Sequence, residues 1–224
     1  SLALSHDEAT LAVGMFDGTI AFHDGAQWQP REYKARETVR GMSFSPDGRR
    51  LALLSGPNKS SLLDLTQSSI QPIGEPIQHD AYTYTLQWSA DSAHVVSASY
   101  GGRSAIMVRA DSGVTQWVVQ QAPGAMSATL SPNGKQVLVA GFDNAARLFD
   151  ADTGEPDGPA LHHAGYVSVA RFSPDGRSIL TGSYDGTARV WHLPEPPAAP
   201  PDIANSKPSP GGRFLARRDW KEGS

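Results

Sequence analysis

The sequence predicts an all-β protein built from repeated four-stranded antiparallel sheets, the blades of a β-propeller. A turn motif recurs about every 42 residues along the chain, and a second motif keeps step with it. Between these motifs lie short segments in which apolar and polar residues alternate, as they do in half-buried strands. Repeats of about 40–45 residues that each hold four strands are typical of propeller blades.

The first motif is a turn at the start of a hairpin. Residues 172–177 read Phe-Ser-Pro-Asp-Gly-Arg, and residues 44–49 repeat them without change. Looser copies occupy residues 130–135, 88–92 and 4–8. The serines at 5, 45, 89, 131 and 173 are separated by 40, 44, 42 and 42 residues, which predicts five repeats. Proline presets φ, aspartate bonds the local backbone and glycine accepts a positive φ, so the motif favours a turn.

The second motif indicates a tight hairpin followed by a strand. Residues 182–191 read Gly-Ser-Tyr-Asp-Gly-Thr-Ala-Arg-Val-Trp, and residues 140–149 and 14–23 match them. Within the motif, Asp-Gly favours a two-residue hairpin turn, and its aspartates are Asp185, Asp143 and Asp17. The third repeat departs from the pattern, because Gly101 and Gly102 stand where the aspartate is expected.

Together with His163 and Gly165 upstream, the residues at 182–191 resemble the WD40 repeat. The resemblance extends over residues 1–193, with repeats at about 1–34, 35–78, 79–120, 121–162 and 163–193. It implies a propeller that commonly has seven blades, so about five blades are expected to be part of a larger ring. The residue pattern of the last repeats is similar to that of bacterial WD-repeat arrays, some of which follow Ser/Thr kinase domains.

The composition changes after residue 193. Residues 194–201 are rich in proline and predict an extended linker. Residues 209–216 faintly echo the turn motif, so residues 194–224 are expected to form a linker and tail or to begin a further blade.

One set of side chains invites a catalytic interpretation. His163, Asp185 and either Ser183 or Thr181 have the residue types of a hydrolase triad. The resemblance implies instead a structural tetrad of His163, Thr181 or Ser183, Asp185 and Trp191, and the sequence has no Gly-x-Ser-x-Gly elbow. We therefore expect no catalytic residues here. In the third repeat, His79 is expected to pair with Ser97.

Aromatic residues recur just before the hairpin aspartate. Phe16, Tyr100, Phe142 and Tyr184 are separated by 84, 42 and 42 residues, which predicts equivalent positions on successive blades. The resemblance implies that this position lies near the ligand-facing surface. These residues, extended by Tyr82 and Tyr166, predict a partner-binding ring of aromatic anchors. The alternative is that they only pack the hairpins or reflect repeat duplication.

Composition favours a protein-binding role over other classes. The net charge of −4 gives no sign of nucleic-acid binding, and no apolar run is long enough for a transmembrane helix. With no cysteine and no cluster of histidines and carboxylates at ligand spacing, no metal or cofactor is expected.

We accordingly expect a non-catalytic, cytoplasmic scaffold that binds proteins or peptides, with no small-molecule substrate. Two alternatives stay open. One is the C-terminal sensor or docking region of a bacterial Ser/Thr kinase, and the other is a propeller of the Tol or peptidase-associated type. The regular spacing of 42 residues argues against the latter.

Overall fold

The computed structural model describes residues 1–24, 27–100, 104–120 and 124–194. Gly101 and Gly102 and the predicted tail after residue 194 lie outside the described residues. All regular structure in the described part of the chain is β-strand, with nineteen strands numbered here β1 to β19. The predicted all-β class is confirmed.

The strands fall into five consecutive groups, here called blades 1 to 5. Blades 1, 2 and 5 are separate sheets, and blades 3 and 4 are joined in one eight-stranded sheet. Blade 1 contains β1 (Leu2–Leu4), β2 (Thr10–Gly14), β3 (Thr19–Asp24) and β4 (Gln27–Lys34). Blade 2 contains β5 (Val39–Phe44), β6 (Arg50–Ser55), β7 (Lys59–Asp64) and β8 (Gln71–Gln78). Blade 3 contains β9 (Tyr82–Trp88), β10 (His94–Tyr100), β11 (Ser104–Arg109) and β12 (Thr115–Gln120). Blade 4 contains β13 (Ala125–Leu130), β14 (Gln136–Gly141), β15 (Ala145–Asp150) and β16 (Leu161–His162). Blade 5 contains β17 (Val167–Phe172), β18 (Ser178–Ser183) and β19 (Ala188–His192).

Each blade is an antiparallel meander in chain order. The first strands of neighbouring blades contact one another, so they lie on the inner side of the arc that the blades form. A single parallel bridge between Tyr100 and Ala125 joins blade 3 to blade 4. The chain therefore stacks its blades side by side, as a propeller does.

The core lies between the blades. On β14, Val137 and Val139 pack against blade 3, whereas Leu138 packs against blade 5. Successive residues of a strand point to opposite faces, so one strand of blade 4 serves two interfaces. This explains why second strands such as β14 are buried almost throughout.

Blade 5 has one uncovered face in the described structure. Leu180 and Val190 are 51% and 50% exposed, whereas Leu138 and Leu148, at the same repeat positions in blade 4, are 0% and 1% exposed. The described blades thus form an open arc, and this face has the apolar character of an inter-blade surface.

The turn motif is held by one hydrogen-bond pattern. In blade 5 the Ser173 hydroxyl donates to the Asp175 carboxylate at 2.5 Å, and the Arg177 N–H donates to the same carboxylate at 3.0 Å. The Ser178 N–H in turn donates to Ser173 Oγ at 2.9 Å. These bonds hold the pKa of Asp175 below its usual range. The same pattern recurs around the other four serines, Ser5, Ser45, Ser89 and Ser131.

Candidate functional site

A hydrogen-bonded chain links the loop, hairpin and third strand of blade 5. Trp191 Nε1 donates to Thr181 Oγ1 at 2.8 Å, and Thr181 Oγ1 lies 2.7 Å from His163 Nε2. His163 Nδ1 lies 3.1 Å from the Asp185 carboxylate. Because a carboxylate only accepts, Nδ1 donates to Asp185, and in the neutral ring Nε2 accepts from the Thr181 hydroxyl. Every polar side-chain atom in this hydrogen-bonded series therefore has a partner.

The hairpin carboxylate is strongly stabilised in its ionised form. The Thr187 hydroxyl donates to Asp185 at 2.7 Å, and the N–H groups of Thr187 and Ala164 donate at 2.8 and 3.0 Å. These bonds, with the one from His163, hold the pKa of Asp185 well below its usual range. Asp185 is therefore the charged end of the chain and fixes the loop that carries His163.

Thr181, His163 and Asp185 are linked in the order of the nucleophile, base and acid of a hydrolase triad. Their surroundings are nevertheless those of a structural element. Thr181 is 0% exposed, and the Trp191 indole N–H already occupies its oxygen. A nucleophile must reach a substrate carbonyl, and this hydroxyl reaches only protein atoms. Ser183 is not bonded to His163, because its hydroxyl donates to Gly165 O at 2.9 Å. It ties the loop to the hairpin instead.

The other hairpin aspartates have cationic partners of a different kind. The Lys34 ammonium donates to Asp17 at 2.7 Å and lowers the pKa of Asp17 to about 2. Asp143 pairs with Arg147 four residues on. The hairpin carboxylate thus pairs with a cation in blades 1 and 4, whereas in blade 5 it accepts hydrogen bonds from the loop that carries His163.

The predicted pairing of His79 with Ser97 is wrong. His79 Nε2 lies 2.9 Å from Ser60 Oγ, on the third strand of the preceding blade. The third repeat has no hairpin aspartate in its sequence to hold the ring as Asp185 holds His163. His79 Nδ1 is consequently buried with no partner in the described structure, and burial lowers the pKa of His79 to about 4.

Aromatic rings form a continuous row across blades 3, 4 and 5, here called the aromatic row. Neighbouring ring centroids are 4.9 to 6.4 Å apart, and four of the five contacts are T-shaped. Such edge-to-face geometry is favourable between rings. In spatial order the row consists of Tyr82, Tyr84, Tyr100, Phe142, Tyr166 and Tyr184.

The row contains five of the six predicted ring residues. Phe16 is the exception: it is 91% exposed and lines a pocket beside Tyr82 and Tyr84, at one end of the row. Tyr84 was not predicted, although it connects Tyr82 to Tyr100. All five tyrosines of the row are exposed, so the rings present apolar surface to solvent.

Arg40 lies at the same end of the row. Its guanidinium sits 3.9 Å from the centroid of the Tyr82 ring. The pocket there has a volume of about 490 Å³ and is lined by Arg40, Phe16, Tyr82 and Tyr84 together with small and aliphatic residues. This end therefore combines a cation with aromatic walls.

The described residues hold no group of three histidines and carboxylates arranged to bind a metal ion. Nor does this part of the chain contain a helix long and apolar enough to cross a membrane.

Comparisons with known proteins point to one kind of repeat. Residues 160–192 match the family model described as "WD domain, G-beta repeat". WD repeat-containing protein 1 of Mus musculus is 35% identical over 95 residues, covering 40% of this chain and 15% of that protein. The guanine nucleotide-binding protein subunit beta of Zea mays is 31% identical over 101 residues, covering 42% of this chain and 27% of that protein.

Among solved structures, a chain in the crystal structure of the Mitotic Checkpoint Complex shares the fold. Its TM-score is 0.66 at 22% identity, covering 86% of this chain and 63% of that chain. The chain therefore spans well under a third of the curated relatives' length and most of the arc of a solved relative. Residues 160–192 are thus similar to a WD repeat, and the chain has the β-propeller fold of its solved neighbour.

Proposed function

We propose that this chain is a non-catalytic scaffold that binds another protein along the aromatic row. The observation that carries the proposal is the unbroken contact of six rings across three blades. Soluble proteins seldom leave such large apolar side chains exposed together unless the surface is used.

The chemistry of the row suits protein recognition. Tyrosine offers a large contact area with few rotatable bonds, and its hydroxyl can bond to a partner's backbone. The rings also brace one another edge to face, so little side-chain freedom remains to be lost on binding. Tyrosines held this way are typical of interaction hot spots.

The rings sit on well-anchored backbone. Tyr184 N donates to Tyr166 O at 2.9 Å, and Asp185 fixes the loop before Tyr166 through Ala164 N. The hydrogen-bonded chain of blade 5 therefore positions two members of the row. The hydrogen bonds of blade 5 therefore support the proposed binding surface by fixing the backbone that carries two of its rings.

The relatives agree with an interaction role. One matching protein is by name a subunit, and the solved neighbour lies in a named complex. The kinase-associated and Tol-type alternatives have no specific support among the described residues. Whether a catalytic domain accompanies this chain is decided by its full open reading frame.

Site-specific photo-cross-linking tests the proposal. A benzophenone amino acid placed at Tyr100 or at Tyr184 should cross-link the same polypeptide, because the two sites flank one surface. The matched control is Val114, which is exposed but lies just before the outer strand of blade 3. Unlabelled native chain should compete for the adduct. Equal adducts from Val114, or none from either tyrosine, would contradict the proposal.

A further inference from the structure

Arg40 is held rigidly at the end of the aromatic row. Its Nε donates to Gly56 O, and its Nη2 donates to Pro57 O at 3.0 Å and to Thr83 O at 3.2 Å. The guanidinium also lies over the Tyr82 ring, 3.9 Å from its centroid. These contacts join blade 2 to blade 3 and fix the orientation of the side chain.

The remaining guanidinium nitrogen is left for another molecule. Nη1 carries two N–H donors, and neither has an acceptor among the described residues. The side chain is half-buried and lines the pocket of about 490 Å³. A fixed cation with free donors in a partly apolar pocket is organised to receive an acceptor before the acceptor arrives.

The charges around the pocket indicate the sign of the charge that its ligand carries. Arg40 is the one charged side chain in the pocket lining, which otherwise contains Phe16, Leu54, Tyr82 and Tyr84 among uncharged residues. Glu37 lies near the Gly56 end of Arg40, but it is paired with Lys59. A ligand therefore meets the positive charge of Arg40 and no carboxylate in the pocket lining. A ligand cation is disfavoured, because Arg40 already covers the Tyr82 face.

We propose that the pocket binds an acidic residue of the partner, whose carboxylate accepts hydrogen bonds from Arg40 Nη1. A neighbouring apolar side chain of the same segment packs between Phe16 and Tyr84. A carboxylate is favoured over a phosphate because phosphorylated residues are typically recognised by clusters of arginines, whereas the pocket lining contains one. This inference rests on the proposed binding function and names the chemistry of one anchor.

The pocket also sets the direction of the bound segment. Tyr84 belongs both to the pocket and to the aromatic row, where it contacts Tyr100 at 5.4 Å. A segment anchored at Arg40 can therefore continue over Tyr100 and Phe142. The acidic residue marks one end of the segment, and apolar residues follow it.

Peptide libraries test the inference on the native full chain. Acetylated and amidated pentapeptides carry Glu, Asp, Gln, Lys or phosphoserine at the central position, with mixtures of Leu, Tyr, Pro, Ser and Gly elsewhere. We expect the Glu and Asp libraries to be retained about tenfold more strongly than the Gln library, since charged hydrogen bonds are about twice as strong as neutral ones. The preference should shrink as salt rises.

Substitutions identify which residue causes the preference for Glu over Gln. Arg40→Gln should abolish the Glu-over-Gln ratio, and Arg36→Gln, which removes an equal charge outside this pocket, should preserve it. Arg40→Lys keeps the charge but loses the stacked fork, so an intermediate ratio is expected. The comparison of Glu with Gln on the native chain needs no variant and stands even where an Arg40 variant folds poorly.

Each other outcome overturns the inference. Equal retention of Glu and Gln, preference for Lys or phosphoserine, or no retention of any library would each do so. The proposed function is separable. If all libraries bind equally but are lost in Tyr100→Ala/Phe142→Ala/Tyr184→Ala, the row binds and the acidic anchor is wrong. If that triple variant retains them as well as the native chain, the binding surface itself is wrong.

Discussion

The Tyr100 ring of blade 3 meets the Phe142 ring of blade 4 edge to face, with centroids 5.2 Å apart and planes at 68°. Tyr100 also forms, with Ala125, the parallel bridge that joins the two blades. One pair of rings therefore links neighbouring blades and continues the proposed docking surface.

A double-mutant cycle on this pair tests their coupling. Tyr100→Ala and Phe142→Ala should show an interaction free energy of about 0.5–1.5 kcal/mol in urea unfolding, as aromatic pairs do. The control pairs Tyr100→Ala with Leu4→Ala on blade 1, for which additivity is expected. Additivity in the Tyr100–Phe142 cycle would show that the rings do not support each other.

Removing the Thr181 hydroxyl should destabilise blade 5. Thr181→Val leaves Trp191 Nε1 and His163 Nε2 without their partner in a fully buried site. Two unsatisfied groups should lower the free energy of unfolding by about 2–4 kcal/mol. Thr181→Ser keeps the hydroxyl and should lose less than half as much. Equal losses from the two variants would mean that the methyl group, not the hydrogen bonds, matters.

Burial of His79 predicts a pH-dependent stability. Its pKa in the folded protein is about 4, below the value of about 6.5 in an unfolded chain. Between these values the unfolded state binds the extra proton, so stability is complete above pH 6.5 and falls as the pH drops towards 4. The fall attributable to His79 is up to about 3 kcal/mol. His79→Gln should flatten the stability profile over this range; an unchanged slope would assign the effect to other groups.

The turn motif predicts a stabilising substitution. Glu8 has φ of 58° at the position where Gly48 has φ of 70°. Because left-handed backbone costs a side-chain-bearing residue about 1–2 kcal/mol, Glu8→Gly should raise the free energy of unfolding by about 0.5–1 kcal/mol after the flexibility of glycine is counted.

The reverse change is the matched control for that substitution. An added Cβ at Gly48 meets nothing within 4 Å, so Gly48→Ala tests the backbone alone and should cost about 1 kcal/mol. A loss of stability in Glu8→Gly, measured by thermal unfolding, would contradict the backbone interpretation.

The fold was predictable because the residues that form the turns recur in the sequence once per blade. Ser173 has a counterpart in every blade and Asp175 in all but blade 4, where Asn133 accepts the equivalent bonds. The aromatic row was only partly predictable. Tyr100 and Tyr184 repeat at the blade period, but Tyr84 does not. Five residues before the last four motif serines lie Arg40, Tyr84, Met126 and Ser168. No shared residue type marks that position, so neither Tyr84 nor Arg40 gave a periodic signal.

The pairing of His79 could not be read from residue types for a similar reason. Ser60 and Ser97 are both buried serines on strands of neighbouring blades, and only the three-dimensional arrangement selects between them. Likewise, the sequence contained the groups of a triad, but the burial of Thr181 is a property of the packed blade.

The most direct measurement is the affinity of the cross-linked partner for native chain and for Tyr100→Ala/Phe142→Ala/Tyr184→Ala. The triple variant should bind at least about 100-fold more weakly, as expected for the loss of several aromatic hot-spot residues. Val114→Ala/Val118→Ala is the control, because it removes exposed apolar residues outside the row. The control should bind as the native chain does, and the triple variant should remain folded. Unchanged affinity in the triple variant, with a large loss of stability, would show that the aromatic row is structural and would contradict the account.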